Sequence, residues 1–254
     1  KALSYFQRCL KIRKEMGDKE GMASPLNNIG IIYGMQKNYV QAMDYFQRSL
    51  KISEEIGNKM EIANGLSNIG SMYSAQKNNL QAMDYFQRRL KISKESGHKR
   101  TIGMVLDNIG IIYSDQSNYP LGLDYFQRSL KIYEEIGNKP GIAHSLGRIG
   151  ETYNKQGNHY DAIIQCQKAL DISEEIGSIE LQKELCALLY DSYKAMGNGN
   201  KALVYIEKMN VLNDSLNADE TNKKLQQIEF AKQEYTESIA QVEADRLVDR
   251  MSVV

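Results

Sequence analysis

The nine residues DYFQRSLKI at positions 44–52 return unchanged at 124–132, read DYFQRRLKI at 84–92, and open the chain as SYFQRCLKI at 4–12. Each step is forty residues. A stretch respelled at a fixed period describes a unit that packs against copies of itself, so the repeat constrains the fold before composition does. Other columns keep the same step. Gly30, Gly70, Gly110 and Gly150 form one, which ends at Tyr190. Tyr33, Tyr73, Tyr113, Tyr153 and Tyr193 form another, as do Ala42, Ala82, Gly122, Ala162 and Ala202. Leu10, Leu50, Leu90, Leu130 and Leu170 make a fourth, and Gly17, Gly57, Gly97, Gly137 and Gly177 a fifth.

Each unit reads as two helices. Leu26, Ile29 and Tyr33 are spaced three then four, and Ala42, Phe46 and Leu50 four and four, so each set lies on one helical face. Gly30 falls inside the first helix, where Gly costs about 1 kcal/mol against Ala, and close approach of the neighbouring helix is the expected reason. Gly57 and Gly137 in the GNK turns are expected to form left-handed C-terminal caps. Asn38, Asn78, Asn118 and Asn158 are expected to close the other helix in the same way. Pro120 and Pro140 stand where a helix starts and the missing N–H is tolerated. Trp is absent and Pro occurs three times, in keeping with an all-α chain.

These columns resemble the tetratricopeptide repeat. That family's small residue, aromatic, Ala and second aromatic correspond to Gly30, Tyr33, Ala42 and Phe46, with further copies downstream. Two departures stand out. Leu26, Leu66, Leu106 and Leu146 replace the usual Trp, and the usual Pro after the second helix is missing. The period also exceeds the family's common length of about 34 residues. This long form resembles the repeats of spindle-orientation adaptors, kinesin light chains and bacterial signalling proteins. The resemblance implies an all-α, right-handed superhelix, an α-solenoid of antiparallel helix pairs, followed by a long C-terminal helix. Residues 1–216 are expected to form the solenoid: a half repeat at 1–16, four full repeats from about 19, 59, 99 and 139, and a degenerate repeat at 179–216. In the last, Tyr190 takes the Gly slot and Ile206 the Phe slot.

Catalytic chemistry needs a constellation used once, and none is found. Cys166 replaces the Phe of Phe46, Phe86 and Phe126, and Cys186 aligns with Leu146, so both read as small hydrophobes; Cys9 aligns with Ser49, Arg89, Ser129 and Ala169. His98 and His159 fall in inter-helix turns, and His144 has no second ligand at metal spacing. Glu54-Glu55, Glu134-Glu135 and Glu174-Glu175 recur with the unit and mark solvated helix ends. No enzyme, cofactor or metal is expected of this segment. The 32 basic residues balance 32 acidic ones, and Arg8, Arg48, Arg88 and Arg128 read as a solvated outer column, so nucleic acid is not an expected partner.

The candidate site lies on the first helices. The column two residues before each Gly reads Asn28, Asn68, Asn108, Arg148 and Leu188. In related repeats an Asn here contacts the backbone of an extended peptide in the concave groove, and nearby basic residues hold carboxylates. An amide both donates and accepts, so it can pair with any peptide group. Arg148 could fork onto a carboxylate. Asn27, Asn64, Asp107 and His144 complete the expected peptide-binding set. The alternative is that the Asn residues are inherited through duplication and idle.

Beyond Leu216 the repeat stops. Asn217 is expected to cap a helix with Glu220 three residues on. Leu225, Ile228, Ala231, Tyr235, Ile239 and Val242 then make the stripe of a helix running to about Arg250. The segment 217–254 would cap the solenoid, act as a linker or coiled-coil helix, or pair with its counterpart in a homodimer. NDSLN followed by this charged helix resembles the sensory halves of Bacteroidetes-type signalling proteins, whose helix leads into a nucleotide cyclase or histidine kinase. The resemblance implies a non-catalytic interaction module within a larger bacterial signalling protein; a dimerising spacer or a free-standing adaptor is the alternative. The chain starts at Lys1 without Met and reads as a fragment. No apolar run approaches the ~20 residues of a membrane span, so direct membrane insertion is not expected. A cytoplasmic location is expected, with a periplasmic domain tethered by a span beyond Val254 as the alternative.

Overall fold

A computed structural model describes residues 2–218 and Gln226, and all described secondary structure is helical. The chain divides into two compact units, Lys1–Ile176 and Gly177–Val254. In the first unit, α1 (Ala2–Glu15) is followed by a 3₁₀ turn (Glu20–Met22) and four helix pairs: α2 (Ala23–Met35) with α3 (Tyr39–Ile56), α4 (Lys59–Ala75) with α5 (Asn79–Glu95), α6 (Lys99–Asp115) with α7 (Tyr119–Glu135), and α8 (Lys139–Lys155) with α9 (His159–Glu175). The second unit holds α10 (Ile179–Ala195) and a helix over 199–218, α11.

The repeated columns are the core. Leu26, Leu66, Leu106, Ile29, Ile69 and Ile109 on the first helices, and Phe46, Phe86 and Phe126 on the second, are almost fully buried. Burying each such side chain contributes roughly 1.5–3 kcal/mol. The recurring glycines make room for the Phe rings. A Cβ on Gly30 would lie 2.6 Å from the Phe46 ring, on Gly70 2.9 Å from Phe86, and on Gly110 2.7 Å from Phe126. At Gly150 the place of the ring is taken by the Cys166 sulfur. The second unit exchanges the sizes, with Tyr190 in the Gly slot and Ile206 in the Phe slot. Within the first unit α2 also touches α4 and α6 touches α8, whereas no second helix makes comparable contact with the next second helix among the described residues. At these two places the first helices draw together on one face.

Two kinds of turn alternate. After the second helices, Gly57 and Gly137 adopt φ of 78° and 64°, as expected, and the Asn58 N–H bonds the Ser53 carbonyl at 3.0 Å. After the first helices the expectation is corrected. Asn38, Asn78 and Asn158 do not take the left-handed position; that falls to Lys37 (φ 58°), Lys77 (61°), Ser117 (60°) and Gly157 (77°). The Asn residues stand one place later as N-caps, their side chains accepting from Gln41, Gln81 and Asp161 N–H groups. Asn118 occupies the same N-cap position without a side-chain cap bond. A second correction concerns Asn217. It lies inside the continuous helix 199–218, so it does not begin a new one. The amphipathic stripe expected over 225–250 lies outside the described residues.

Candidate functional site

On the face formed by the first helices, α4, α6 and α8 present three adjoining recesses. One, of 330 Å³, is lined by Ser71, Lys77, Asn108, Ile111 and Asp115 among others. A second, of 210 Å³, contains Ile111, Asp115, Arg148, Glu151 and Lys155. The third, also 210 Å³, contains Met104, Asp107, Asn108, His144 and Arg148. Ile111 borders all three, and Asn108 borders two. Met104 on α6 is an exposed apolar side chain, as are Ile31 and Met35 on α2.

The expected site residues have distinct settings. Asn28, Asn68 and Asn108 are half-buried. Asn68 is bound to the preceding unit, its Nδ2 donating to Asn27 Oδ1 at 2.7 Å, so these two form a staple between α4 and α2. Among the described residues neither Asn28 nor Asn108 makes a side-chain hydrogen bond. Asn64 is exposed and accepts from Arg89 Nη1 at 3.3 Å. Arg148 does not stand ready with an open fork: its Nη1 pairs with Glu151 at 2.8 Å. Lys155 joins Glu151 at 3.0 Å and Asp115 at 3.3 Å, and Lys77 reaches Asp115 at 3.5 Å, giving a network that runs across all three helices. Burial pushes the Glu151 carboxyl up, but Arg148 and Lys155 together hold it below its usual range. His144 is exposed and borders the third recess.

Asp107 turns partly away from the recess toward α8. The Ser145 hydroxyl donates to it, at 3.1 Å from Oδ1 and 3.4 Å from Oδ2, and Ser145 lies 3.3 Å from the Ser129 hydroxyl. Burial pushes the Asp107 carboxyl up to about 7, against the pull of Ser129, Ser145 and Arg148. Burial and the neighbouring Asp107 also push the Tyr133 phenol upward.

The outer face is structural. Tyr33–Tyr45, Tyr73–Tyr85 and Tyr113–Tyr125 stack at 5.6, 5.6 and 5.5 Å, and Arg48, Arg88 and Arg128 lie over the outer rings at 5.2, 5.4 and 5.0 Å. Those arginines also pair with Asp44, Glu54 and Asp124. An ion pair that sequence analysis did not anticipate closes each unit, from the start of its first helix to the end of its second: Lys19–Glu55, Lys59–Glu95 at 3.7 Å, Lys99–Glu135 at 2.9 Å and Lys139–Glu175. Its signal was available, because both Lys and Glu recur every forty residues. Cys166 is fully buried, and burial pushes its thiol up to about 12, the reverse of an activated nucleophile. Among the described residues no cluster of His, Cys, Asp and Glu could hold a metal ion, and no helix is long and apolar enough to cross a membrane.

Several solved structures share this architecture. BtubC from P. vanneervenii superposes with a TM-score of 0.72 at 14% identity, covering 85% of this chain and 91% of that one. A Rap protein complexed with Competence and Sporulation Factor gives 0.69 at 19% identity, covering 86% of this chain and 65% of that one. A signal transduction ATPase with a tetratricopeptide repeat sensor, from Pyrococcus horikoshii, gives 0.70 at 22% identity, covering 83% of this chain and 33% of that one. The chain thus spans under two thirds of the Rap protein and about a third of the ATPase. Among curated proteins none matches it. In sequence, overlapping matches to the tetratricopeptide repeat cover 1–55, 21–95, 61–135 and 101–175, every one of them in step with the forty-residue columns. The chain belongs to the tetratricopeptide repeat family.

Proposed function

We propose that this protein-interaction module binds an extended peptide segment along the face of α4, α6 and α8. The observation behind this reading is Asn108: a half-buried amide whose side chain has no hydrogen-bond partner among the described residues, between two recesses and one turn from Ile111. An amide so placed can donate to and accept from one peptide unit, while Ile111 and Met104 take apolar side chains. Arg148, Glu151, Asp115 and Lys155 neutralise one another, so a bound peptide is selected by its backbone and apolar groups more than by charge. Asn68 and Asn27 stiffen the approach to this face and do not grip the ligand themselves.

The test is selection from a displayed random-peptide library on the intact protein, followed by binding of the selected peptides to Asn108→Ala and Ile111→Ser variants. Loss of one backbone-directed amide pair is expected to weaken binding about tenfold, with the melting temperature unchanged. Peptides that bind both variants as well as the parent would reject the groove. In our reading the module is the input region of a larger signalling protein, with the segment from 217 as its output. Support comes from the resemblance of that segment, and from the Pyrococcus horikoshii signal transduction ATPase, whose similar repeats are its sensor. Reading the gene past the codon for Val254 tests this: a cyclase or kinase domain there is the expected outcome, and a nearby stop codon the contrary one.

A further inference from the structure

The joint between a second helix and the first helices on either side of it occurs three times in equivalent registers, and each copy fills it differently. In the joint of α2, α3 and α4, the Ser53 hydroxyl donates to Glu61 Oε2 at 3.1 Å, so a carboxylate of the chain takes up most of the space and only 80 Å³ remains. In the joint of α6, α7 and α8, the Tyr133 ring fills it, lying where Cβ atoms on Gly103 and Gly141 would be 2.8 and 2.5 Å away. In the middle joint of α4, α5 and α6, Ser93 stands at the position of Ser53 and Tyr133, and Thr101 at that of Glu61 and Gly141. Neither fills the space, and a cavity of 370 Å³ remains, lined by Ala63, Asn64, Arg89, Ile92, Ser93 and Thr101 among others.

Arg89 is the unusual member. In the first unit its column otherwise holds the half-buried Cys9 and the buried Ser49, Ser129 and Ala169, and Arg89 is itself only 8% exposed. Nη1 donates to Asn64 Oδ1 at 3.3 Å, but Nε is buried with no partner among the described residues. No carboxylate pairs with Arg89 among the described residues; Glu95, in the next turn but one of the same helix, is taken by Lys59. Burial alone pushes the pKa of the Arg89 guanidinium down, with no counter-charge to raise it. A buried, unpaired cation is costly to keep, and an anion that pairs with it recovers much of that cost.

We infer that this cavity binds a carboxylate bearing a short apolar chain, the carboxylate pairing with Arg89 and Ser93 as Glu61 pairs with Ser53 one unit earlier, and the chain lying against Ala63 and Ile92. The carboxylate can be a free small acid or the C-terminus of a peptide. The site is separate from the face holding Asn108, so its test does not depend on peptide binding there.

The probes are hexanoate, its uncharged analogue hexanamide, and a pentapeptide ending in Leu with a free or an amidated C-terminus, each titrated calorimetrically into the intact protein. Hexanoate or the free-acid peptide is expected to bind, and hexanamide and the amidated peptide at least about tenfold more weakly. Binding of hexanoate points to a free acid as the source, and binding of the free-acid peptide alone to a chain terminus. Arg89→Ser restores the residue found at 49 and 129, should fold, and is expected to lose about tenfold or more in affinity. Thr101→Glu supplies an internal carboxylate, as Glu61 does, and is expected to abolish binding while raising the melting temperature. Failure of both acids to bind the parent protein, equal binding of acid and amide, or undiminished binding by Arg89→Ser overturns the proposal.

Discussion

At the residue scale, the same letter means different things in different columns because the neighbour across the joint differs. Gly30 faces the Phe46 ring at a distance no Cβ could keep. Gly30→Ala gains about 1 kcal/mol of helix propensity but forces the ring to move, at about 1–3 kcal/mol. A net destabilisation is expected in urea unfolding, and Phe46→Leu in the same chain should reduce the penalty, which a double-mutant cycle measures. Asp107 makes a second prediction, this time in pH. Its folded value of about 7 exceeds the ordinary 3.8, so between those values the folded chain keeps a proton that the unfolded chain has released. Its contribution is complete below about pH 4, falls as pH rises toward 7, and is flat above, with a slope of at most about 1.4 kcal/mol per pH unit. Asp107→Asn should lose less stability than the parent between pH 5 and pH 7.5. Equal losses in the two proteins would show that Asp107 stays ionised throughout.

At the element scale, helix type and order were legible, because Leu26, Ile29, Phe46 and their copies in the full repeats recur at helical spacing, and Leu66, Leu106, Ile69, Ile109, Phe86 and Phe126 are buried with them. The turn after each first helix was less so. Left-handed closure and N-capping occupy adjacent residues there, and Asn suits both; only the backbone shows that Lys37 takes the first role and Asn38 the second. The Asn column was legible as polar, yet Asn68 and Asn108 look alike in sequence and differ in whether Asn27 lies opposite. Arg89 stood in a column of small residues, a signal of its burial that the sequence reading did not use. Lys37, Lys77 and Ser117 hold positive φ without being glycine, a conformation that costs an L-residue roughly 1–2 kcal/mol. Ser117→Gly copies the residue found at 157 and is expected to stabilise the chain by about 0.5–1 kcal/mol, read as a higher urea midpoint.

At the scale of the whole molecule, each pair in the first unit meets only its neighbours: α3 meets α4, α5 meets α6, and α7 meets α8. Stability in such an array is a sum of unit terms and interface terms between neighbours. Deleting 59–98 would remove α4 and α5 and bring α6 onto α3. The new joint would place Leu106 and Ile109 where Leu66 and Ile69 stood; the Lys59–Glu95 pair is deleted whole, while Lys19–Glu55 and Lys99–Glu135 are kept within their own units. The apolar seam is thus preserved in kind, while Val105 replaces Gly65, on which a Cβ would lie 3.3 Å from Leu50. A folded, helical protein is expected, with a lower urea midpoint and a smaller m-value in proportion to the surface no longer buried. Pairing the deletion with Val105→Gly should recover part of the midpoint, because it restores the close approach to Leu50. An unfolded deletion product that Val105→Gly does not rescue would mean that the four pairs are not interchangeable, and that the fold depends on their order as well as their number.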